Sequence, residues 1–185
     1  MDYAEQYGRM HESGKRFPGY SLGAYVNAIA ALVAEHRPER MLDYGSGKGF
    51  QYLVRRYHER WGGILPYCYD IGIQQLSELP DGPFGGVLCT DVLEHIEEGD
   101  LGGVIRELLS LTAGDGFLFL GISCRPTRKT LPSGGDVHRT IRPPSWWKLR
   151  LANYASLQPH DPRVVAHWDI KGHFDEPDTP WDSRG

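Results

Sequence analysis

Arg40-Met-Leu-Asp-Tyr-Gly-Ser-Gly-Lys-Gly49 sets a short apolar run directly before three glycines spaced GxGxG. This join constrains the fold more than any other stretch. A short apolar run bounded by turn residues reads as a buried strand, and glycine is the residue that lets a backbone turn sharply at its end. Phe50 to about Arg60 then reads as a helix. Strand, glycine turn, helix is the opening of an α/β unit, and the alternation recurs downstream. Ile64 to Tyr69 reads as a second strand ending at Asp70, Gly86 to Thr90 as a third and Gly116 to Ile122 as a fourth, with Asp100 to Leu111 a helix between the last two. Upstream, Tyr25, Val26, Ile29, Leu32 and Val33 recur at helical spacing behind Ser21, a candidate N-cap, and the pattern stops at Arg37-Pro38. Alternation of this kind predicts a mostly parallel sheet with helices on both faces.

A chain of 185 residues is expected to form one domain over 1–185. Its net charge of -4 and pI near 6.0 supply no general drive toward nucleic acid or an anionic membrane surface, so a small-molecule substrate is the favoured partner. Cys68, Cys89 and Cys124 are odd in number, form no CxxC pair and lie in or beside apolar runs, which reads as buried reduced thiols. The opening Met1-Asp-Tyr-Ala-Glu-Gln-Tyr7 lacks the basic-then-apolar order of a signal peptide, and no apolar run approaches the ~18 residues of a membrane span. A cytoplasmic location is the expectation.

The second half is less regular. Arg125 to Arg142 reads as a long loop, and loops of that length in compact domains usually serve a site. Ser145 to Tyr154 reads as a helix after Pro143-Pro144, and Arg163 to Ile170 as a strand at the sheet's far edge, followed by a loosely held tail over 174–185. Residues 1–20 suit either a lid or a plain surface helix. Trp146-Trp147 suits core packing, with a stacking surface as the alternative. Arg125, Arg128, Lys129, Arg139 and Arg142 are the one basic concentration.

A dinucleotide fingerprint, GxGxxG, would need glycine where Phe50 stands. The GxGxG turn is therefore either a purely geometric device or a ligand cradle. Asp70 favours the cradle: it ends the next strand about twenty residues on, where an acidic side chain can accept hydrogen bonds from ribose hydroxyls. Together, Met41 to Gly49, Asp70 and Val87-Leu-Cys-Thr-Asp-Val-Leu-Glu-His-Ile96 resemble, in order, the motifs of class I S-adenosylmethionine-dependent methyltransferases over roughly Ser21 to Ile122. The resemblance implies a Rossmann-like α/β sheet. It also implies that Asp43 helps hold the methionine end of S-adenosylmethionine, that Gly45, Gly47 and Gly49 make room for it, and that Asp70 binds its ribose. Only residues 71–85 separate Asp70 from the next apolar run, so the family's third strand, which lies at a sheet edge, is expected to be missing, with strand two as the edge.

The same resemblance sets Asp91-Val-Leu-Glu-His95 beside the transferable methyl group. In a helix beginning after Thr90, Asp91, Glu94 and His95 would stand at i, i+3 and i+4 on one face. The stretch is similar to the metal-binding segments of ubiquinone-pathway and small-RNA O-methyltransferases. The latter add a further histidine, for which His138 is the candidate. This implies a divalent cation, Mg²⁺ or Mn²⁺, on Asp91, Glu94, His95 and His138. A metal-free role for His95, with Asp91, in activating an acceptor stands beside it, and so does a structural reading in which Asp91 caps a helix and Glu94 pairs with a base. The activity implied is methylation of a small polar acceptor, foremost a hydroxyl of a sugar or related metabolite. An RNA or nucleotide methyltransferase and a non-catalytic S-adenosylmethionine-binding module are the alternatives.

Overall fold

The computed structural model describes residues 3–12, 20–127, 129–131 and 134–185. The helices are α1 (Tyr3–Glu12), α2 (Val26–His36), α3 (Phe50–Leu53), α4 (Leu101–Leu111) and α5 (Pro144–Ala155). The strands are β1 (Met41–Tyr44), β2 (Tyr67–Tyr69), β3 (Phe84–Thr90), β4 (Thr112–Ser123), β5 (Arg163–Asp169) and β6 (Trp181–Asp182). They form one sheet in the order β2-β1-β3-β4-β5-β6, parallel throughout except for β6, which runs antiparallel to β5.

The central strands are apolar runs because both sheet faces are covered. Successive side chains alternate between faces. Leu42, Val87, Cys89, Leu118 and Leu120 pack with Ile105 and Leu108 of α4 and Trp147 and Leu151 of α5. Met41, Leu88, Phe117 and Phe119 pack on the other side with Ile29, Leu32 and Val33 of α2 and with Trp61. No strand lies between Asp70 and Phe84, a stretch described throughout, so β2 is the edge. Cys68, Cys89 and Cys124 are all free thiols, and Cys89 and Cys124 are buried. No helix among the described residues is long and apolar enough to cross a membrane.

Several local expectations are corrected. Ser21 does not cap α2; it opens a 3-10 turn, Ser21–Ala24, and α2 starts behind Tyr25 with no side-chain cap. The helix after the glycine turn ends at Leu53, which is 75% exposed. Arg56 then takes a left-handed conformation, and a 3-10 turn over Tyr57–Trp61 carries Trp61 into the core. Burying the indole outweighs continuing a helix whose next face is solvent. Strand two is shortened to Tyr67–Tyr69, because Pro66 has no N–H to offer a ladder. The tail is not loose: β6 covers β5, Ser183 N–H donates to the Val164 carbonyl (2.9 Å), and Arg163 is paired with both Asp182 and Glu35. β5 is thus an interior strand rather than the far edge.

Trp147 is fully buried on α5, edge-on to Trp146 at 5.0 Å, which makes packing its role. Trp147→Ala is expected to lower the unfolding free energy by about 3–5 kcal/mol in urea titrations; a loss below about 1 kcal/mol would contradict this packing account.

Candidate functional site

The five parallel strands deliver their carboxyl ends to one rim, and a cavity of about 500 Å³ opens there. Every one of these strands contributes: Gly45 and Gly47 follow β1, Asp70 follows β2, Thr90 ends β3 with Asp91 next along, Ser123 ends β4 and Asp169 ends β5. In the order 2-1-3-4-5 the winding reverses between β1 and β3, and open α/β sheets bind ligands outside the carboxyl ends at that switch point.

Gly45, Gly47 and Gly49 all have positive φ (79°, 56° and 65°), a region side chains rarely adopt. Gly45 is also tied sterically, since a Cβ there would lie 2.2 Å from Val92 Cγ2. Asp70 pins the loop: Gly47 N–H donates to its Oδ2 (2.8 Å) and Gly72 N–H to its Oδ1 (2.9 Å). Gly45 and Gly47 line the cavity with Asp70, whereas Gly49 sits behind them at the start of α3. Asp43 does not line the cavity. It is buried beneath the loop, where Tyr52 O–H (2.9 Å) and the Gln51 amide both donate to its Oδ2. Burial is the main cause that pushes its carboxyl up to about 7; the two hydrogen bonds oppose this, and the charge of Asp70 adds to it.

The segment after β3 is not the expected helix. Asp91 takes φ 55° while its N–H donates to the Gly121 carbonyl, and only Leu93–His95 forms a 3-10 turn, with no side-chain cap. This kink folds the turn down onto the glycine loop and buries Leu93, Glu94 and His95. Asp91 therefore does not share a helical face with Glu94 and His95, and it caps nothing. Asp91 lines the cavity, reached by solvent yet ringed by protein, and that desolvation raises its carboxyl above the usual range, with the charge of Asp169 adding to the rise and neighbouring basic groups opposing it. Of the described non-glycine residues with positive φ, Asp91 is the one that lines the cavity.

Glu94, His95 and His138 converge instead, each offering a ligand atom within 4.8 Å of the others; Asp91 stands outside that group. His95 Nδ1–H donates to the Val137 carbonyl (3.0 Å) and His138 Nδ1–H to the Arg125 carbonyl (2.6 Å), the tautomers these acceptors require. Each lone pair is thereby put on Nε2, and the two rings meet edge-on at 4.9 Å. Glu94 is 0% exposed. Its Oε1 accepts from Ser123 N–H (3.1 Å), while its Oε2 has no hydrogen-bond partner among the described residues. Burial, then the charge of Asp91, holds its carboxyl well above the usual value. Burial and the neighbouring His138 push the His95 imidazole down to about 4, so it is neutral at pH 7. The triad is assembled by the long loop: Arg139 and Thr140 N–H both donate to the Glu94 backbone carbonyl (2.7 and 3.0 Å).

Other expectations fall as follows. Tyr3 and Tyr7 of α1 line the cavity with Tyr20, while residues 1–2 and 13–19 of the lid segment lie outside the described residues, as does Arg128. Arg125 pairs with Asp169 (2.8 Å), Arg139 with Glu97 (2.7 Å) and Arg142 with Glu98 (2.7 Å), so these three of the basic residues are answered by carboxylates, while Lys129 lines the cavity. Ser123 and Asp169 were missed by sequence reasoning; a search for polar residues closing each apolar strand would have found them. Compared with protein-family models, curated proteins and solved structures, the chain matches none.

A carboxyl with a raised folded-state pKa binds more protons folded than unfolded. The stability linked to Asp43 is therefore present below the ordinary carboxylate range and lost as pH climbs from about 4 to about 7, with no further change above. Urea unfolding between pH 4 and 8 should show wild type losing up to about 4 kcal/mol relative to Asp43→Asn across that window; a pH-independent difference between the two would contradict the assignment.

Proposed function

We propose that this chain is an S-adenosylmethionine-dependent methyltransferase with a shortened class I sheet, acting on a hydroxyl of a small polar acceptor such as a sugar or related metabolite, with a divalent cation, Mg²⁺ or Mn²⁺, on Glu94, His95 and His138. One observation carries the reading: the glycine loop with Asp70, and His95 with His138, open on the same cavity. Cofactor-binding and acceptor-activating groups would need to meet in this way.

The donor set fits a cation. A buried carboxylate oxygen without a partner is costly unless a proton or a positive ion satisfies it. Histidine ligands characteristically give their other ring N–H to a carbonyl or carboxylate, as both do here. A neutral imidazole is also the ligand form, while a base held near 4 is poorly matched to work at pH 7, which favours His95 as ligand over His95 as lone base. A bound divalent cation supplies a Lewis acid that lowers the cost of deprotonating an acceptor hydroxyl.

On this reading Asp43 shapes the loop through Gln51 and Tyr52 and does not touch the methionine end, while Asp70 carries the ribose contact. Asp91, outside the triad, is the residue assigned to the acceptor hydroxyl, as hydrogen-bond acceptor and recipient of its proton. Transfer from a sulfonium donor otherwise needs in-line positioning of donor and acceptor, for which the shared cavity would be the place. An RNA acceptor is disfavoured by the carboxylate partners of Arg125, Arg139 and Arg142.

Methyl-labelled S-adenosylmethionine with a panel of small vicinal diols and Mn²⁺ tests the reading. Wild type should yield labelled product, and Glu94→Gln and His95→Ala should each lose about 100-fold or more in turnover. Unchanged turnover in both variants would refute the role of the triad, and cofactor binding with no product from any acceptor would favour the non-catalytic module.

A further inference from the structure

α1 rests on the back of the triad at three points. Tyr3 O–H donates to Asp100 Oδ2 (2.7 Å) and its oxygen accepts from Glu97 N–H (3.0 Å), fixing one end of the helix to the turn after His95. One helical turn on, Tyr7 O–H donates to the His95 backbone carbonyl (3.3 Å), and its ring stands edge-on to the His95 imidazole at 5.7 Å. Met10 is buried among Leu131 and Val137 of the long loop. Val137 is the residue whose carbonyl holds His95 Nδ1–H, and the next residue along is His138. The opposite face of the helix is in water, where Arg9 and Glu5 pair.

A helix of ten residues is too short to hold itself in water, so α1 is ordered by what it lies on. It lies on Glu97 and Asp100, on His95, and on Leu131 and Val137, and the segments Glu94–His95 and Val137–His138 also carry the three donor atoms. Those segments are already tied by His95 Nδ1–H to Val137 and by Arg139 and Thr140 N–H to Glu94, and joining the donors through one ion would add a further tie that firms the shelf under Met10 and Tyr7. Conversely, a docked α1 holds the segments in the register the ion needs.

We propose that α1 is a cap whose docking and cation binding at Glu94, His95 and His138 strengthen each other, with Met10 and Tyr7 as positioning residues for the two imidazoles. The proposal rests on the cation reading of the triad. Coupling between two binding events is reciprocal, so the factor by which the docked cap raises cation affinity is the factor by which the cation holds down the cap. Tyr3 and Tyr7 line the cavity that the proposed cofactor and acceptor share, so the cap that the cation holds down would also wall their space.

The test is calorimetric titration of the chelator-treated full chain with Mn²⁺ alone, for wild type, Met10→Ala, Met10→Leu and Tyr3→Phe, with amide hydrogen exchange of residues 3–12 followed with and without Mn²⁺. Met10→Ala should weaken Mn²⁺ binding by about 10-fold or more, the scale of losing groups that orient metal ligands. Met10→Leu, close in volume, should restore most of it. Exchange in α1 should slow on adding Mn²⁺ to wild type. Should Met10→Ala not fold, Tyr3→Phe carries the same test, since it removes one half-buried hydroxyl: weaker Mn²⁺ binding and faster α1 exchange support the cap. Wild-type Mn²⁺ affinity in the folded cap variants, or α1 exchange indifferent to Mn²⁺, overturns the cap while leaving the cation site standing. No Mn²⁺ binding by wild type overturns both.

Discussion

Where β1 and β3 end side by side, two turns compete for one space. A Cβ at position 45 would lie 2.2 Å from Val92 Cγ2, so the glycine loop and the turn after β3 fit together only because the first has no side chain there and the second bends through a left-handed Asp91. That kink replaces a helix that would have carried Glu94 and His95 along the rim. The turn is pressed against the sheet instead, and three consecutive residues, two of them ionisable, are buried. The arrangement of the whole site descends from this contact.

Glu94 is the junction that follows from it. Its backbone carbonyl takes two N–H groups from the long loop, and its carboxylate takes one from Ser123. The loop is thereby tied at the point where His138 must meet His95, although nothing in its composition announces order. Asp136 adds to this by accepting from Thr127 and His138 N–H. A carboxylate so enclosed, with one oxygen lacking a hydrogen-bond partner among the described residues, is a poor investment for stability alone. Its place beside two imidazoles with fixed tautomers is what the proposed cation site rests on.

The parallel core was legible because strands covered on both faces must be largely apolar, and Gly86 to Thr90 and Gly116 to Ile122 are such runs, with Met41 and Leu42 ahead of Asp43 in the first strand. The absence of a strand between Asp70 and Phe84 was legible from the shortness of the stretch 71–85, which has no room for a helix and a further strand. The end of α3 was not: it depends on where Trp61 finds a pocket, which is a tertiary fact. Nor was β6, a two-residue strand whose hold comes from Arg163, Asp182 and the bare edge of β5. At the site, Glu94, His95 and His138 were legible as chemistry, but their grouping without Asp91 was not, because helical spacing was assumed where the packing of Val92 on Gly45 imposes a kink. Asp43 was expected at the ligand and lies under the loop, since Gln51 and Tyr52 satisfy it from the first turn of α3.

The central claim is that this rim holds S-adenosylmethionine against the glycine loop and Asp70. Calorimetric titration of the purified protein with S-adenosylmethionine tests it most directly. The account predicts one saturable site per chain, weakened about 10- to 100-fold in Asp70→Asn, as expected when a hydrogen bond to a charged group is removed. A folded wild-type protein that takes up no S-adenosylmethionine, or an Asp70→Asn variant that binds it equally well, would contradict the account.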